Sequence, residues 1–188
     1  AADHGKKTGQ KVVLNLSLGS SLPVDPINYI MGWYAARQGA LLVAAAGNDN
    51  GPVGTPAKIK YYMAVAATDP QDAKATFSNF GPQLAISAPG VDIFATTPTY
   101  EVPMNKHGIA KDYAPLQGTS MATPVVPGVA ALIWSKHPDW TADPVKDAGG
   151  DLDKAVSVIN ERGLVKAEKK AGRATGAGIL EAYTHNNR

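Results

Sequence analysis

The sequence predicts an α/β fold built on a parallel sheet. Residues 11–18 (KVVLNLSL) and 41–46 (LLVAAA) are short apolar runs, the pattern of strands buried on both faces of a parallel sheet. Between them, Asp25-Pro26 offers a helix N-cap followed by proline at the first helical position. Ile27, Ile30, Met31 and Tyr34 then recur at helical spacing, and Gly39 supplies a stop. Strand, helix, strand in that order is a βαβ unit, for which a right-handed crossover is expected.

The remaining elements follow in chain order. Residues 1–9 read as the tail of a helix feeding the first strand. Residues 61–67 (YYMAVAA) read as a third strand, and 84–87 and 91–96 as short strands separated by a Pro89-Gly90 turn. Residues 97–114 are polar and contain proline, which predicts a surface excursion. Residues 119–136 predict a long helix, with Val126, Val129, Ala130, Ile133 and Trp134 at three- and four-residue spacing. Pro127 lies within it and is expected to kink it. Shorter helices are predicted after Thr141 and within residues 153–161.

The chain has 188 residues, enough for one domain or part of a larger one with a substantial core. Its 18 basic and 16 acidic residues leave a formal charge of +2 without long like-charged runs, which gives no support to nucleic-acid binding. With 0 cysteines there is no disulfide, thiolate metal site or cysteine nucleophile. No membrane span is expected, and the opening residues lack the apolar segment of a signal peptide.

Two segments carry chemistry. Gly118-Thr119-Ser120-Met121-Ala122-Thr123-Pro124 stands at a loop-to-helix junction. A serine in the first helical turn lies among unpaired backbone N–H groups, a setting that favours negative charge developing beside it in acyl transfer. The same residues also suit plain helix capping by Thr119 or Ser120. Gly47-Asn48-Asp49-Asn50-Gly51 follows the second strand, where open α/β sheets bind ligands. An Asn side chain there can donate its amide N–H to an oxyanion, although Asn and Gly also make ordinary turns.

Taken together, these residues resemble the subtilisin-like serine proteases. The resemblance rests on residues 12–19 (VVLNLSLG), 44–48 (AAAGN), 76–90 (TFSNFGPQLAISAPG), 118–124 (GTSMATP) and 130–140 (AALIWSKHPDW), with a weaker echo at 176–182. It implies a three-layer, parallel-sheet subtilisin-like fold, with residues 1–188 forming the C-terminal portion of its catalytic domain. By the same resemblance Ser120 would be the nucleophile, with Asn48 and the Ser120 backbone N–H as oxyanion donors. Ser17, Leu18 and Gly19 would pair with an extended polypeptide substrate, and Ala45, Ala46 and Gly47 would line the pocket before the scissile bond. Thr55-Pro56 falls where the family often has a cis peptide.

The family orders its triad Asp, His, Ser, so the aspartate and histidine motifs are expected on a missing N-terminal segment or a second, complementary chain. His4, His107, His137 and His185 lack the expected His-Gly-Thr context. The chain alone is therefore expected to be inactive or nearly so. The alternative is an inactive fragment or pseudoprotease that binds extended peptides; an α/β-hydrolase reading falters because Ala122 stands where Gly-x-Ser-x-Gly needs glycine. No cofactor is expected in this chain; by the resemblance, any calcium would sit on the missing N-terminal portion. Leu84-Ala85-Ile86 offers no carboxylate, and Asp147, Asp151 and Asp153 form no calcium-loop pattern. An extracellular location is implied by the resemblance alone.

Overall fold

The computed structural model describes residues 1–136 and 138–142. The helices predicted after Thr141 and within 153–161, His137, His185, the residue 176–182 echo and the three aspartates 147, 151 and 153 lie outside the described residues.

Four parallel strands form the sheet in the order β1-β2-β3-β4: β1 (Val13–Leu16), β2 (Leu41–Ala45), β3 (Met63–Thr68) and β4 (Leu84–Pro89). Alternation along each strand sends neighbouring side chains to opposite faces. Leu42, Ala44, Ala46 and Ala64 pack on one side with Ala35 of α2 (Pro26–Arg37) and with Ala2 of α1 (Ala2–Thr8). Val43, Val65, Ala67, Ile86 and Ala88 pack on the other with Ala122 of α3 (Thr119–Ala122) and Val126 and Val129 of α4 (Val125–Lys136). Helices on both faces of a parallel sheet make the three layers that the family resemblance implies.

The helix between β1 and β2 begins as expected. Asp25 caps it by accepting the Asn28 backbone N–H at 3.0 Å, and Pro26 is its first residue. Its apolar stripe, however, faces outward: Ile27, Ile30, Met31 and Tyr34 are 73%, 60%, 58% and 41% exposed. The buried side is made of Gly32 and Ala35 instead. Small residues are required there because the helix lies directly on Tyr62. A Cβ at Gly32 would stand 2.6 Å from the Tyr62 ring. Steric closeness, rather than side-chain size, decides which face packs.

Three other expectations need correction. First, β1 is half-buried rather than buried on both faces, because it is the outer strand of the described sheet and Asn15 faces out. Second, the 97–114 excursion is not wholly irregular. It contains a 3-10 turn at Pro103–His107 and ends in β6 (Tyr113–Leu116), which pairs antiparallel with β5 (Ile93–Thr96). The Phe94 and Tyr113 rings stack across this hairpin at 5.8 Å. Pro115 is tolerated because a two-stranded ribbon has only edge strands. Third, the long helix divides at Thr123-Pro124 instead of at Pro127. Pro127 lies in the first turn of α4, where a missing N–H removes little.

Candidate active site

The carboxyl ends of β1 and β2 open toward the start of α3, and three separate segments meet there. Ser120 is the second residue of α3, and its hydroxyl donates to the backbone carbonyl of Ser17, just past β1, at 3.3 Å. Asn48, just past β2, reaches the residue before Ser120. Its Oδ1 accepts the Thr119 backbone N–H at 2.8 Å and the Thr119 hydroxyl at 2.9 Å. The Thr119 hydroxyl in turn accepts the Gly47 N–H at 3.2 Å. Neither Thr119 nor Ser120 caps α3, as plain helix capping would require. The N-cap position is Gly118, and the acceptor comes from the distant Asn48 loop.

This arrangement fixes the amide. A backbone N–H can donate only to the carbonyl oxygen of an Asn side chain, so Nδ2 points away from Thr119. Asn48 is exposed, and its Nδ2 has no partner among the described residues. The Ser120 backbone N–H likewise makes no hydrogen bond among them. Both donors border one small space. A Cβ built on Gly118 would lie 3.5 Å from Asn48 Nδ2 and 3.7 Å from Ser120 N. Gly118 has φ 149°, a conformation that strongly favours glycine, and its N–H is held by the Gly90 carbonyl at 2.8 Å.

The other predicted residues divide. Ser17, Leu18 and Gly19 are exposed, and the N–H groups of Leu18 and Gly19 are unpaired among the described residues. Immediately beyond them, Ser20 exchanges backbone hydrogen bonds with Thr55, and the Thr55–Pro56 bond is cis. Gly47 borders the site through Thr119, and Ala45 lies at the end of β2 with 4% exposure. Ala46 is completely buried and belongs to the core on the α2 side, so its side chain does not face the cleft.

His4 and His107 are exposed, and neither contacts Ser120. Among the described residues, no group of three or more His, Cys, Asp or Glu side chains could hold a metal, and no helix is long and apolar enough to cross a membrane. A separate open groove of about 710 Å³ lies between Val24, Tyr29, Ile30 and Ile59 and excludes both Ser120 and Asn48. Two contributors have roles that the sequence did not assign. Thr119 orients Asn48, and Asn79 braces the loop that carries it. Both lie inside quoted motifs, but only the packing reveals what they touch.

Residues 7–150 match the Subtilase family, Peptidase_S8. The chain belongs to the subtilase family. It is 43% identical over 159 residues to M-protease of Shouchella clausii (strain KSM-K16), covering 83% of this chain and 39% of that protein. It is 38% identical over 159 residues to Subtilisin Savinase of Lederbergia lenta, covering 83% of this chain and 55% of that protein. A crystal structure of a cold adapted subtilisin-like serine proteinase superposes with a TM-score of 0.66 at 26% identity, over 93% of this chain and 56% of that one. The chain thus spans between 39% and 55% of the length of these two curated subtilase relatives. The subtilase fold and the parallel sheet agree.

Proposed function

We propose that this chain is the serine-bearing, C-terminal portion of a subtilisin-like endopeptidase domain, acting on polypeptide substrates. The observation that carries this reading is the convergence of Ser120, Asn48 and the unpaired backbone after β1 on one cleft. Ser120 Oγ attacks the scissile carbonyl carbon, and a histidine from a complementary N-terminal segment or second chain takes its proton. Asn48 Nδ2 and the Ser120 N–H donate to the oxyanion of the tetrahedral intermediate. The histidine then protonates the leaving amine, and water hydrolyses the acyl-enzyme.

An extended substrate lies along residues 17–19 as an added strand, with the side chain before the scissile bond near Ala45 and Gly47. Ala46 supports that wall from within the core. The triad aspartate also comes from the complementary segment, and the chain by itself is inactive or nearly so, because loss of the histidine costs on the order of 10⁶ in turnover in a subtilisin. Any calcium is held by that N-terminal portion. The protein is secreted, a reading supported by its family membership.

The test is covalent labelling with a fluorophosphonate probe, with all chains of the protease present. Labelling at Ser120 that disappears in Ser120→Ala supports the reading. Absence of labelling overturns it, and peptide binding without turnover in the same preparation identifies an inactive peptide-binding fragment.

A further inference from the structure

We propose that Asn79 is a positioning residue for Asn48, an inference that rests on the oxyanion reading of Asn48. Asn79 is 3% exposed and sits beneath the 46–52 loop. Its Oδ1 accepts the N–H groups of Asp49 at 2.8 Å and Gly51 at 3.1 Å. Its Nδ2 donates to the carbonyls of Ala46 at 3.1 Å and Pro52 at 2.9 Å. Its own backbone N–H donates to the Gly47 carbonyl at 2.9 Å. A primary amide has two acceptor sites and two donor protons, so every hydrogen-bonding position of this side chain is used.

The placement matters because Asn48 lies between two anchored neighbours. Gly47 is tied through its carbonyl and Asp49 through its N–H, both to Asn79. Gly47 has φ 111°, and a Cβ there would stand 2.3 Å from Asn79 Nδ2, so the loop sits directly on the amide. Thr119 then sets only the rotation of the Asn48 side chain. A buried amide satisfied at four points is a rigid support. Aspartate, its isostere, would set an oxygen without a proton against the Ala46 and Pro52 carbonyls.

Lys74 braces the same loop from outside. Its Nζ donates to Asn50 Oδ1 at 2.9 Å, Ser78 O at 3.0 Å and Ala75 O at 3.1 Å, and it lies 5.6 Å from the centre of the Phe80 ring.

The experiment uses the full chain and its Asn79→Asp and Asn79→Ala variants. Amide hydrogen exchange at Asp49 and Gly51 is expected to accelerate about tenfold or more, as loss of one hydrogen bond allows, while Val43 and Val65 exchange as in the parent. With the complementary segment present, Asn79→Ala is expected to lower kcat on a peptide substrate about tenfold at unchanged KM, because an oxyanion donor acts in the transition state. The effects of Asn79→Ala and Asn48→Ala should be less than multiplicative. Unchanged loop exchange, or fully multiplicative effects, overturns the positioning role while leaving the oxyanion reading intact. If Asn48→Ala itself leaves kcat unchanged, both fall. Should neither variant fold, through-hydrogen-bond scalar coupling from the Asp49 and Gly51 amide nitrogens to the Asn79 side-chain carbonyl in the parent decides. Observed coupling upholds the brace, and its absence overturns it.

Discussion

Thr119 and Asn48 are joined by two hydrogen bonds to one atom: the Thr119 N–H and hydroxyl both converge on Asn48 Oδ1, at 2.8 and 2.9 Å. The pairing links the start of α3 to the end of β2 across 71 residues of sequence. It also leaves the donor end of the Asn48 amide facing the cleft.

Thr119→Val is expected to destabilise the fold by about 1–3 kcal/mol, because the Gly47 N–H loses its acceptor at a completely buried residue. Thr119→Ser keeps the hydroxyl and should lose less than half as much. Chemical denaturation of the two variants beside the parent checks this; equal losses would mean that the methyl group contributes as much as the hydroxyl, and a loss confined to Thr119→Ser would mean that the hydroxyl contributes nothing.

Asn48→Ala is expected to lower kcat by about 10²–10³ in the complete protease, the loss seen for an oxyanion asparagine of a subtilisin. KM should change little. Steady-state kinetics on a peptide substrate read both quantities.

Gly118→Ala should slow fluorophosphonate labelling of Ser120 at least tenfold, since φ 149° strongly disfavours alanine and its Cβ would crowd the space between Asn48 Nδ2 and Ser120 N. Labelling rates, with circular dichroism to check folding, test it.

Asp25 gives a pH signature. The Asn28 side-chain amide, and then the Asn28 N–H, hold its carboxyl below the ordinary carboxylate value, against a smaller opposing effect of burial. A carboxyl depressed in the folded state stabilises above its unfolded pKa and loses that contribution as pH falls through the folded value. Asp25→Ala should therefore lower the melting temperature at neutral pH, and the gap to the parent should close in acid. Melting curves across the acid range check the sign.

Val65→Ala should cost about 2–3 kcal/mol, since Val65 is completely buried between β3 and the α3–α4 layer and the change leaves a cavity. Denaturant midpoints measure it.

The βαβ start and the Ser120 and Asn48 segments are legible in the sequence because their signals are local. Asp25-Pro26 opens α2, Gly39 ends the chain's helical turn, and the apolar runs mark β1 and β2. What escapes is whatever depends on distant partners. The Ile27, Ile30, Met31 and Tyr34 stripe has helical periodicity, but the position of Tyr62 decides that Gly32 and Ala35 turn inward. β6 holds only four residues, one of them a proline, too little pattern to stand out without β5 beside it. Asn79 looks like any loop asparagine until its four side-chain partners surround it.

The Lys74 ammonium occupies a nest of three oxygens and an aromatic face beside the Asn48 loop. A free ion in such a nest would leave on dilution or be stripped by a chelator, and the loop would loosen with it. A cation tethered to the backbone cannot be diluted away, because its local concentration is set by its own chain. The order of this corner is thus independent of the dissolved ion supply.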